Sequence, residues 1–210
     1  MIEEKNTWKD ILTKFLDVCY ELLKENNFKW AIMGSVATNL QGCDLEPNDI
    51  DILVEKPETV YFISSLFSVF FGEKKNITPF DKNDTWISSK EQPVFRGKDQ
   101  WNFRWTYAKW KIEELFIEIT HKLPPENHPN KLHSIWESGP NIWPYVKDVT
   151  FGKYQIPVLP LEIQLETNFE RGFNERVKQI IDIFKKQGYD QKLIKKALKE
   201  ENLERFNRML

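Results

Sequence analysis

Asp49 and Asp51 flank Ile50 in the run Asp49 to Val54, where acidic and apolar residues alternate. Alternation of this kind fits a β-strand, in which residues two apart leave the same face with Cα atoms roughly 6 to 7 Å apart. Both carboxylates then face one cavity. At about 4 Å two such charges repel by roughly 4 kcal/mol at an effective dielectric near 20. A divalent cation with a preference for oxygen ligands removes that repulsion, so the pair reads as a hard-metal site. Glu118, in the pattern Phe-Ile-Glu-Ile, is the best third acid because its neighbours suit a buried strand. An Asp-x-Asp pair alone is a weak signal, since the same pattern occurs on solvated strand edges.

The elements around the pair give it context. Trp30 to Met33 is a short apolar run that ends in Gly34-Ser35, and Val36 to Leu40 then reads as a helix. The chain returns through the polar segment Gly42 to Asn48, with Pro47, to the aspartates. Upstream, Ile11, Leu12, Phe15, Leu16, Cys19, Tyr20, Leu22 and Leu23 recur at helical spacing between Thr7 and Asn26, with Thr7 and Asp10 placed as a capping box. Pro57 opens a further helix expected to reach about Phe71. Strands are expected over Thr85 to Ser88, Trp101 to Trp110 and Leu115 to Thr120. A short helix is expected over Leu132 to Ser138, and a hairpin over Val149 to Val158. From Leu161 the chain reads as helical, with Gly188 as a C-cap and Asp190 as the next N-cap. The division expected is a domain over 1–159 and a helical segment over 160–210.

In AIMGSVATNLQGCDLEPNDIDILVE, the Met33-Gly34-Ser35 turn and the Asp49-Ile50-Asp51-Ile52 strand resemble the nucleotidyltransferase superfamily of the DNA polymerase β type. The likeness covers about Ala31 to Glu55 and extends to Glu118. More narrowly, the chain looks like small bacterial members that include lincosamide and aminoglycoside nucleotidyltransferases. The resemblance implies an α+β fold: a mixed sheet with helices beside it and a helical C-terminal segment. It further implies transfer of a nucleoside monophosphate from an NTP, with ATP the first choice, to a hydroxyl of a small molecule or a protein, with release of pyrophosphate. Asp49 and Asp51 would hold Mg²⁺ or Mn²⁺. Glu118 would be either a further metal ligand or the general base, because the third acid of the superfamily is often Asp. Gly34 would let backbone amides approach the phosphates, and Ser35 would add a hydroxyl. Arg171 and Arg176 are weaker candidates for phosphate contact, since an ordinary solvated helix face has the same composition. The alternatives are a catalytically silent nucleotide- or partner-binding module of the same fold and a two-metal phosphohydrolase.

Composition narrows the partners. The 210 residues carry 30 Lys plus Arg against 32 Asp plus Glu, a net charge of -2, which argues against a long nucleic-acid acceptor. The longest apolar stretch, Val60 to Phe71, is interrupted by serines and far short of the roughly 20 residues that span a bilayer. The polar N-terminus lacks a secretory pattern, so the cytoplasm is expected. Two cysteines, Cys19 and Cys43, give no disulfide framework, and nothing marks Cys43 as a nucleophile. His121, His128 and His133 have no metal-ligand spacing, and His121 reads as a loop residue. Trp101, Phe103, Trp105 and Tyr107 share a strand face, where core packing outweighs stacking on a ligand as the expected role. Lys82 and Arg96 have no stronger claim than any surface cation. Oligomeric state has no sequence signal here.

Overall fold

The computed structural model describes residues 7–75, 77–80, 86–126 and 135–210. In chain order the elements are α1 (Trp8–Glu25), β1 (Trp30–Met33), α2 (Gly34–Leu40), β2 (Asp49–Val54) and α3 (Pro57–Leu66). They continue through β3 (Phe95–Lys98), β4 (Arg104–Ile112), β5 (Leu115–Leu123), β6 (Lys147–Phe151) and β7 (Tyr154–Val158). The chain ends in α4 (Leu161–Glu170), α5 (Asn174–Gln187), α6 (Gln191–Ala197) and α7 (Glu200–Met209). This is an α+β architecture with both parallel and antiparallel strand pairs. Its contacts separate two compact units, Met1–Trp30 with Pro47–Leu123, and Ala31–Glu46 with Pro124–Leu210. The helices from Leu161 onward thus share a unit with β1, α2 and the β6–β7 hairpin.

In the first unit the strand order is β3-β4-β5-β2, with β2 parallel to β5 and the other pairs antiparallel. One sheet face is apolar: Ile50, Ile52, Val54, Ala108, Trp110, Ile117 and Ile119 are all buried. The stripe Ile11, Leu12, Phe15, Leu16 and Cys19 of α1 is buried as well. Phe67 joins these layers, its ring 5.6 Å from Phe15 and 5.4 Å from Trp110. α1 starts where expected because the Asp10 carboxylate accepts from both the N–H and the hydroxyl of Thr7, each at 2.8 Å. α3 stops at Leu66, short of the expected Phe71, and a single 3₁₀ turn covers Ser68–Phe70.

Three further expectations shift in this unit. β3 carries no strand signal in the sequence; it pairs with β4 from Phe95↔Tyr107 to Lys98↔Arg104. Trp86 to Ser88 forms no strand; the Ser88 N–H donates to the Lys109 carbonyl at 2.9 Å, and the next residue, Ser89, makes an isolated bridge with Gly72. β4 begins at Arg104, so Trp101 lies outside it and is 66% exposed, whereas Trp105 and Tyr107 pack with Phe80, Trp86 and Phe95. Thr85, Lys82, His128, His133 and residues 132–134 of the expected short helix lie outside the described residues, and 135–138 are not helical.

The second unit orders its strands β1-β7-β6, β1 parallel to β7 and the hairpin turning at Gly152 with φ 56°. Its core is helical: Leu161, Leu165 and Phe169 of α4 pack with Val177, Ile180, Ile181 and Phe184 of α5 and with Phe206 of α7. A polar tie joins α2 to α4, since Thr38 donates to Gln164 at 3.0 Å and Gln164 donates to the Leu159 carbonyl at 2.8 Å. Gly188 ends α5 at φ 80°, a backbone that favours glycine, and Asp190 caps α6 by accepting from the Lys192 and Leu193 N–H groups.

Candidate active site

The alternation of β2 places Asp49 and Asp51, both half-buried, on the sheet face opposite the apolar layer. The parallel ladder then sets Asp51 directly beside Glu118 of β5, and Asp49 beside Phe116. In-register residues of neighbouring strands share a face, so the three expected acids lie on one surface of the first unit. Their rim differs from the expectation in one respect. Lys109 of β4 stands opposite Glu118, and its ammonium pairs with Glu118 Oε1 at 3.0 Å. Lys109 is 3% exposed and its Nζ lies 4.4 Å from the centre of the Phe116 ring. Among the described residues no group of three or more His, Cys, Asp or Glu side chains is arranged to hold a metal ion. The aspartate pair itself suits a hard divalent cation in chemistry: two carboxylates on one face, partly accessible, on a rigid strand.

The sequence marks Lys109 only weakly, because Arg104–Ile112 alternates irregularly and carries other cations; the one signal is a lysine between Ala108 and Trp110, a position too apolar on both sides for an ordinary solvated lysine.

Gly34 and Ser35 belong to the second unit, at the start of α2. Gly34 has φ 65°, a conformation that excludes most side chains, and its N–H donates to Glu137 Oε1 at 3.3 Å. Glu137, another residue without a sequence signal, shows that this amide can serve a negatively charged oxygen. Arg171 ends α4, exposed beside a cavity of 440 Å³ that Trp136, Glu166, Glu170 and Lys199 also line. The Arg176 guanidinium sits 5.2 Å from the centre of the Phe173 ring. Arg96 is exposed on β3.

Burial pushes the Cys43 thiol up to about 11, against the opposing influence of Arg176, which leaves it un-ionised and inert near neutrality. His121 is a correction: it lies inside β5, 8% exposed, with Nδ1 3.3 Å from the Val54 carbonyl oxygen. Burial holds its pKa below the ordinary 6.5, outweighing that hydrogen bond and the Glu58 charge. The folded state therefore binds the proton less well than the unfolded chain. Stability is full above about pH 6.5 and falls as pH drops through the folded-state value. His121→Asn should flatten the decline in melting temperature between pH 7 and pH 5; an unchanged slope would assign that decline to other groups.

No family model and no curated protein sequence matches the chain. Solved structures do. A candidate nucleotidyltransferase from Thermotoga maritima superposes with a TM-score of 0.54 at 20% identity, covering 89% of this chain and all of its own. The lincosamide antibiotic adenylyltransferase LnuA, solved with lincomycin, gives a TM-score of 0.42 at 16% identity over 81% of this chain and 96% of its own. The antibiotic-resistance factor ANT(2'')-Ia gives 0.44 at 9% identity over 95% and 91%. The first of these establishes a nucleotidyltransferase-like fold for the chain, as the Gly-Ser turn and the Asp-x-Asp strand had implied.

Proposed function

We propose that the chain is a metal-dependent nucleotidyltransferase that moves a nucleoside monophosphate, AMP from ATP in the first instance, to the hydroxyl of a small molecule or protein. The observation that carries this reading is the register of Asp51 with Glu118, and of Asp49 one step along the same face, in a nucleotidyltransferase-like fold. Asp49 and Asp51 would hold Mg²⁺ or Mn²⁺, which would neutralise triphosphate charge and polarise the α-phosphate. The Gly34 N–H, which now donates to Glu137, and the Ser35 hydroxyl would be phosphate donors, and Arg171 and Arg176 would be outer phosphate contacts.

In the reaction the acceptor oxygen forms a bond to the α-phosphorus as the bond from that phosphorus to the β-bridging oxygen breaks. The electron pair departs with pyrophosphate, and the hydroxyl proton passes to a carboxylate of the acid face or to water. Among the described residues no helix is long and apolar enough to cross a membrane.

The test is incubation with α-labelled ATP, Mg²⁺ and a panel of hydroxylated small molecules and proteins. Label joined to an acceptor with equimolar pyrophosphate is expected. Steady ATP consumption with no acceptor would indicate a phosphohydrolase, and nucleotide binding without turnover in any mixture would indicate a silent module.

A further inference from the structure

We propose that Lys109 is a positioning residue that supplies one of the positive charges of the acid face from within the fold, so that the chain takes a single divalent cation, at Asp49 and Asp51, with Glu118 outside the metal's ligand set. This rests on the site reading above.

The placement of Lys109 is not that of a surface lysine. Taking an ammonium out of water is costly unless it is paired, and the cost falls further when an aromatic face covers it. Lys109 has both: Glu118 Oε1 at 3.0 Å and the Phe116 ring at 4.4 Å. Its backbone is also fixed, the N–H donating to Ser88 Oγ at 3.1 Å and the carbonyl accepting from the Ser88 N–H at 2.9 Å, with Ser88 fully buried. Lys111, two residues on, is the contrast: it is exposed and reaches Glu114 at 3.3 Å.

Register brings the pair together. Asp51, Glu118 and Lys109 are neighbours across β2, β5 and β4, one row on one face. With Lys109 paired to it, the Glu118 carboxylate has its charge met from within the fold; without Lys109, Glu118 would become available as a ligand for a second ion.

The experiment is Mn²⁺ titration of the full chain with a non-hydrolysable ATP analogue, followed by electron paramagnetic resonance, which separates an isolated ion from an exchange-coupled pair. Wild type should bind one Mn²⁺ with the isolated-ion spectrum. Lys109→Met should admit a second ion and show coupling, and the double variant Lys109→Met/Glu118→Gln, which removes the pair together and strands no buried charge, should return to one ion with the isolated-ion spectrum. A coupled pair in wild type, or a folded Lys109→Met that still holds one ion, would overturn the proposal. Should Lys109→Met not fold, the double variant decides alone: loss of the ion from a folded double variant makes Glu118 a ligand and overturns it. Asp51→Asn serves as the separate control. If it binds Mn²⁺ and the analogue as wild type does, or wild type binds neither, the site reading fails and this inference fails with it; if it loses the ion while the double variant also does, only the single-ion inference fails.

Discussion

Asp51→Asn should abolish Mg²⁺-dependent binding of a non-hydrolysable ATP analogue and lower nucleotidyl transfer by on the order of a thousandfold. The substitution removes one negative charge at nearly constant volume, from a half-buried position on the face away from the apolar layer. Secondary structure and melting temperature should therefore stay close to wild type, separating a lost site from a lost fold. Calorimetric titration with and without Mg²⁺ makes the comparison directly. Binding that depends on Mg²⁺ in wild type and vanishes in the variant supports the site. Transfer retained at wild-type rates in Asp51→Asn would remove Asp51, and with it the acid face, from the chemistry.

Trp110→Ala should be the most destabilising single change on the opposite face. Trp110 is fully buried, and its ring lies 5.4 Å from that of Phe67, which in turn stacks on Phe15 of α1. Truncating a buried tryptophan removes apolar contact and leaves a cavity, a loss of about 3–5 kcal/mol. For a chain of this size that lowers the melting temperature by on the order of 10 °C. Trp110 also adjoins Lys109, so loosening this layer should reduce transfer beyond the fraction unfolded. Denaturant unfolding of both proteins checks the first statement; a change below about 1 kcal/mol would mean that the layer closes over the gap, as well-packed interiors rarely do.

Local sequence determined the elements whose signals are short-range. The α1 capping box, the β2 alternation, the Asp190 cap and the β6–β7 hairpin each depend on residues within a few positions of one another, and they stand where the sequence placed them. The glycine at 34 was equally legible, because a φ of 65° selects against side chains whatever surrounds it. The acid pair and Glu118 were nameable for the same reason: period-two alternation assigns a face before any partner strand is known.

What the chain could not disclose locally is what long-range pairing decides. β3 forms because β4 offers it an antiparallel edge, and its own residues, Phe-Arg-Gly-Lys, have little strand preference. His121 is interior because the antiparallel β4–β5 ladder runs on past Thr120 and pairs His121 with Thr106. Glu137 reaches Gly34 across 103 positions. Lys109 meets Glu118 only through the register of β4 on β5, and one residue of slip would put the ammonium on the apolar face. Residue type and short-range spacing thus name the side chains that could do chemistry and the local geometry that holds them. Tertiary structure alone decided which charges stand beside them, since the energy of a buried charge depends on partners that only strand register brings within reach.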